Sequence, residues 1–122
     1  MLVTARETEI FRVTDDLAEV MAAQEFSPAA IREFSCAVKE SMENIVRHGY
    51  RGRPGEIGVR CTGTPEKVTV EISDTAPPYN PLQPAKKDGE LGRAFVRQAA
   101  DIVTYRHQNH RNILTLTKIR RA

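Results

Sequence analysis

Glu40, Asn44 and His48 are spaced i, i+4 and i+8, so on a helix they line one face, three turns deep. A carboxylate can accept a proton, an amide oxygen can ligate a hard cation, and an imidazole can bond a polar ligand. The low side chains of Ala37 and Ser41 lie beside that face and leave room for such a ligand. Glu, Asn and His on a helix are also an ordinary solvated face, and the spacing alone favours that plainer reading. Asn44 is the odd member. Asparagine competes for backbone hydrogen bonds and forms helices poorly, so its place in mid-helix asks for a reason.

Two other stretches carry chemistry. Val68, Val70 and Ile72 alternate as on a strand, and by the same parity Asp74 points to their side, the core side. A carboxylate sent toward a core is costly unless it is paired. The alternative is that the strand ends at Ser73 and Asp74 caps the turn that follows. Asp88-Gly89-Glu90-Leu91-Gly92-Arg93 is a glycine-containing turn that opens a helix. It reads either as a plain left-handed turn or as a phosphate cradle, because N–H groups at a helix start bind anions.

The elements that must position these residues follow from periodicity. Ile31, Phe34, Val38, Met42 and Ile45 form an apolar stripe on the helix that carries Asn44. Ser27-Pro28 is its start signal and Gly49 its stop. Before it, Thr8 to Val13 reads as a short strand, and Thr14 as the N-cap of a helix carrying Leu17, Val20 and Met21 to about Glu25. Ile57, Val59 and Cys61, then Val68, Val70 and Ile72, read as an antiparallel hairpin. Residues 75–89 hold four prolines and no period, a long loop of the kind that is usually functional. A helix with Leu91, Phe95, Ala99 and Ile102 on one face is expected next, then a hairpin of 102–108 and 112–119. Paired strands with helices between them predict an α+β sandwich, helices on one face of a mostly antiparallel sheet.

At 122 residues the chain suits a single domain spanning 1–122. Its net charge of +2 does not argue for nucleic acid. The basic residues Arg106, His107, His110, Arg111, Arg120 and Arg121 read as a solvated hairpin and tail, with few aromatics for base stacking. No apolar run approaches a membrane span, and no charged-then-apolar leader opens the chain. Cys36 and Cys61 form no CxxC pair and read as buried free thiols in a reducing, cytoplasmic compartment. No His/Cys cluster has the spacing of a structural zinc site.

The order of these motifs resembles the GHKL (histidine kinase-like) ATPase superfamily over nearly the whole chain. It is most similar to the small anti-sigma-factor serine/threonine kinases. The stretch Ala37-Val38-Lys39-Glu40-Ser41-Met42-Glu43-Asn44-Ile45-Val46-Arg47-His48-Gly49-Tyr50 resembles that family's N-box. The resemblance implies a Bergerat-type two-layer sandwich, ATP and Mg²⁺ as cofactors, Asn44 as the magnesium ligand and Glu40 as the general base. Residues 72–81 resemble the first glycine box, which makes Asp74 the acceptor for the adenine amino group, with Ala76 where glycine is usual. Residues 89–98 resemble the second box, which places Gly89, Leu91, Gly92 and Arg93 over the phosphates and puts Glu90 where glycine is frequent. His48 joins the nucleotide site through the N-box. Residues 113–118 resemble the closing strand, but the family's adenine-contacting threonine has no clear counterpart.

Two functions follow from the resemblance. One is an ATP-dependent protein serine/threonine kinase and anti-sigma factor acting on an anti-anti-sigma (STAS) partner. The other is a nucleotide-sensitive or nucleotide-free module that sequesters a sigma factor without phosphorylating it. Ala76 and Glu90 motivate the second; Glu40 argues for the first, because a pure binder needs no base. The resemblance also suggests a homodimer, with no direct contact to nucleic acid or membrane.

Overall fold

The computed structural model describes residues 2–4, 7–77, 96 and 98–121, with backbone alone at 7 and 8. Leu2–Thr4 forms β1, Glu7–Ala23 α1, Pro28–Asn44 α2, Glu56–Gly63 β2, Lys67–Asp74 β3, Ile102–Gln108 β4 and Arg111–Ile119 β5. The strands make one five-stranded sheet in the order β1-β2-β3-β5-β4, every neighbouring pair antiparallel. The α+β sandwich expected from the sequence is therefore the architecture observed.

The first element differs from expectation. Residues 8–13 are the opening turns of α1, not a strand. Ile10, Val13, Leu17 and Met21 are all buried, and their spacing of three, four and four residues is helical. Thr14 consequently lies inside the helix, where its hydroxyl donates to the Phe11 carbonyl. The first strand is instead Leu2–Thr4, which pairs with the edge of β2. α1 ends at Ala23, and Glu25 takes the left-handed conformation (φ 62°) that closes a helix.

α2 begins as its sequence demands. The Ser27 hydroxyl accepts from the Ala30 N–H, and Pro28 occupies the first turn, where no donor is needed. Phe34, Val38, Met42 and Ile45 of the expected stripe are buried, with Ile31 half-buried at its rim. Each such side chain contributes about 1.5–3 kcal/mol by leaving water. After Asn44 the helix widens into a π-helical turn, Ile45–Gly49, which closes with Tyr50 N–H donating to the Ile45 carbonyl at 2.8 Å. Gly49 ends the helix as expected, but the left-handed residues that turn the chain are Arg51 and Gly52.

The sheet registers in rows. Val59, Ile72, Leu114 and Tyr105 face the helices together, as do Cys61, Val70, Leu116 and Val103. The row beyond runs Val3, Ile57, Asp74, Asn112, His107, so the apolar face turns polar at the end of β3. The last hairpin turns on Asn109 and His110 alone, both with positive φ, the type I′ pattern that matches strand twist. Val96, Gln98 and Ala99 are helical, and Ala99 is buried as expected. Ile102 belongs to β4 instead of that helix face and is 50% exposed. Both cysteines are free, but Cys36 is exposed and Cys61 only half-buried, contrary to the sequence reading. Burial, then the nearby Asp16, holds the Cys61 thiol above its ordinary pKa. No helix among the described residues is long and apolar enough to cross a membrane.

Candidate functional site

Asn44 is the last residue of α2 before the π turn and is 3% exposed. Its Oδ1 is buried and has no hydrogen-bond partner. Such an atom is expensive, about 1–3 kcal/mol, unless something arrives to satisfy it. The small residues beside it are buried too: Ala37 is sealed in, and the Ser41 hydroxyl donates to the Ala37 carbonyl at 2.8 Å. Ser41 thus satisfies itself within the helix and leaves Asn44 unassisted.

Glu40 sits one turn earlier and is half-buried. Its Oε1 lies 3.6 Å from Nη2 of Arg47, which also approaches Glu43 Oε2 at 3.8 Å. Lys39 pairs with Glu43 on the other side, at 3.8 Å, and lies 5.5 Å from the Phe11 ring centre. These pairs are largely solvated and individually weak. Their geometry draws the Glu40 carboxylate along the helix toward Arg47. His48 lies in the π turn and is exposed, while Asn44 is buried.

Asp74 is 3% exposed at the end of β3, pointing to the helix side as strand parity requires. It also caps the turn: its Oδ1 accepts the Ala76 N–H at 3.0 Å. The inward carboxylate and the turn cap, alternatives in the sequence, are one arrangement. Burial raises the Asp74 pKa above the ordinary carboxylate value, while bonds from Asn112 and the Ala76 N–H pull the other way, with smaller help from His107 and Arg111. Ala76 is buried and does not have positive φ, so alanine in place of glycine brings no backbone strain.

The residue that sequence reasoning missed is Asn112. It stands opposite Asp74 in the register, is 2% exposed, and donates from Nδ2 to Asp74 Oδ1 at 2.9 Å and to the Ala76 carbonyl at 3.0 Å. Thr115 pairs with Glu71 and Thr117 with Thr69, so neither threonine of β5 reaches the row of Asp74. The signal was present in the hairpin arithmetic: a two-residue turn at 109–110 puts residue 112 inward.

The helix and the strand are tied by Tyr50. Its hydroxyl donates to the Glu56 carbonyl at 2.6 Å and accepts the Thr75 N–H at 3.0 Å. That joins the end of the Asn44 helix to the residue after Asp74. Gly55 is the condition for it, since a Cβ there would come within 2.4 Å of the Tyr50 ring. Gly89, Leu91, Gly92 and Arg93 lie outside the described residues, as does Glu90.

Not every depression belongs to this site. One of about 440 Å³ lies on the opposite face of the sheet, lined by Gly58, Arg60, Glu71, Ser73 and Arg111, and includes neither Asn44 nor Asp74. Three arginines of the last hairpin and tail are engaged locally: Arg111 donates to Ser73 Oγ, Arg120 to the Pro65 carbonyl and Arg121 to Asp101.

The donor set suits a magnesium ion shared with a polyphosphate. A single neutral amide oxygen without a partner is the ligand such an ion takes when phosphates and water complete its shell. Among the described residues no cluster of three His, Cys, Asp or Glu side chains could hold a metal by itself.

A search of curated proteins finds no match. The family model for the histidine kinase-like ATPase domain matches residues 3–118, from β1 through nearly all of β5. With helices on one face of a five-stranded antiparallel sheet, the chain belongs to the histidine kinase-like ATPase domain family.

Proposed function

We propose that this chain is an ATP-dependent protein serine/threonine kinase and anti-sigma regulatory factor whose substrate is a serine on an anti-anti-sigma (STAS) partner. The observation that carries the reading is the pairing of Glu40 with Asn44: a half-buried carboxylate one helical turn from a buried amide oxygen with no partner. Asn44 Oδ1 would hold magnesium, which when bound neutralises phosphate charge. Glu40 would take the proton from the incoming serine hydroxyl, general-base help worth roughly 10²–10⁴-fold. Asp74 would accept from the adenine amino group. Phosphoryl transfer asks mainly for positioning and charge neutralisation, so these few groups suffice.

The test is single-turnover transfer of labelled γ-phosphate to a STAS protein by wild type and Glu40→Gln. The variant keeps the shape and hydrogen bonding of Glu40 and should bind Mg-ATP and the partner, yet lose most of the transfer. Transfer that survives in the variant removes Glu40 from the mechanism.

A second reading is favoured by Arg47. Its guanidinium lies 3.6 Å from Glu40 and engages the carboxylate that a base would need free, which suits a module that sequesters a sigma factor without phosphorylating it. Tight partner binding by wild type, with no transfer to any STAS protein, supports that alternative.

A further inference from the structure

Asp74 is held by a directed chain of hydrogen bonds. Tyr105 donates its hydroxyl to Asn112 Oδ1, and His107 Nδ1 lies 3.3 Å from the same oxygen. With Oδ1 engaged by donors, the Asn112 amide is fixed with Nδ2 toward Asp74, where it donates to Oδ1 at 2.9 Å. Asp74 Oδ1 also accepts the Ala76 N–H at 3.0 Å, so both of its lone pairs are used. Among the described residues no hydrogen bond reaches Asp74 Oδ2.

We infer that Asn112, oriented by Tyr105, is a positioning residue that fixes which oxygen of Asp74 meets a ligand. It thereby sets selectivity for a base carrying an exocyclic amino group over one carrying a carbonyl at the same place. The inference rests on reading the surroundings of Asn44 and Asp74 as an adenine-nucleotide site. An ionised carboxylate only accepts hydrogen bonds, so Oδ2 suits an amino donor and opposes a carbonyl oxygen. Rejection of the wrong group requires that the carboxylate be unable to turn away from it. Two donors on Oδ1 supply that rigidity, and the tyrosine keeps the amide from flipping its acceptor toward Asp74. Asn44 and Glu40 take no part in this chain, so the phosphate end of the site is left as it was.

The experiment is calorimetry of the full chain with ATP and with ITP, magnesium present, for wild type, Tyr105→Phe and Asn112→Ser. ITP differs from ATP in carrying a carbonyl where adenine has its amino group. Wild type should prefer ATP, and Tyr105→Phe should reduce the ATP-to-ITP preference about tenfold, a typical effect of losing one readout bond. Asn112→Ser should reduce it further. A purely structural role would weaken both nucleotides alike, and an unchanged ratio in Tyr105→Phe overturns the inference. Tyr105→Phe keeps the ring in its packing, so it serves if Asn112→Ser fails to fold. Wild type that binds ATP and ITP equally also overturns it. Wild type that binds neither nucleotide overturns the adenine-nucleotide reading itself, and the inference with it.

Discussion

Replacing Asn44 with alanine should make the free protein more stable while abolishing its response to Mg-ATP. The unpartnered Oδ1 costs about 1–3 kcal/mol in the free fold, and truncation removes that cost. Alanine also forms helix better than asparagine, by up to about 0.7 kcal/mol. Against these stands the packing of a side chain that is 3% exposed, whose loss costs about 1 kcal/mol for so few atoms. The balance is a gain of about 1–2 kcal/mol, a rise in Tm of about 4–8 °C for a chain of this length. Wild type should gain about 2.7 kcal/mol more from ligand at a hundred times its Kd, and the variant almost nothing. Calorimetric melting of both proteins, with and without Mg-ATP, reads both effects. A variant less stable than wild type by more than 1 kcal/mol, with its ligand shift intact, would refute the argument, because Asn44 would then be a packing residue and no ligand.

Other substitutions test the supporting structure. Gly55→Ala should push the Tyr50 ring out of place and loosen its bonds to Glu56 and Thr75, lowering stability by about 1–3 kcal/mol in urea unfolding. An unchanged midpoint would mean the ring moves freely. His110→Gly should raise stability by about 0.5–1 kcal/mol, since it relieves a left-handed residue at φ 63° and completes a favoured hairpin turn; a lower melting temperature would contradict this. The Arg121 guanidinium bonded to Asp101 holds that carboxyl below the usual range, against burial that raises it. Folded Asp101 therefore contributes stability that is present above the ordinary aspartate pKa and lost as pH falls through the lower folded value. Asp101→Asn should flatten that acid limb in unfolding curves measured across the window, and an unaltered limb would assign the acid loss to other groups.

Much of this molecule could be read from residue order, and the exceptions have physical causes. The buried stripe of α2 and its Ser27-Pro28 start are local signals, so they were visible. So was the parity that sends Asp74 inward. Residues 8–13 misled because Thr8, Ile10, Phe11 and Val13 favour strands intrinsically, while the helix is selected by Leu17 and Met21, farther along the same stripe. The π turn after Asn44 has no sequence signal. Asn112 escaped notice because its importance is a matter of register across β3 and β5, thirty-eight residues apart in the chain from the aspartate it holds. Alanine fits at position 76, where the resemblance expects glycine, because the turn after Asp74 does not use positive φ there.

That register has an implication for how the chain can vary. Asn109 and His110 form an exposed turn of the kind where insertions and deletions usually pass without effect. Here the two-residue length decides which face of the sheet residue 112 occupies. Losing or gaining one residue would bring a neighbour of opposite parity into place: Ile113 or Arg111 would face Asp74, and Asn112 would move to the outer surface. The tip of the last hairpin should therefore tolerate exchange of its side chains but not a change in its count, although both of its residues are exposed.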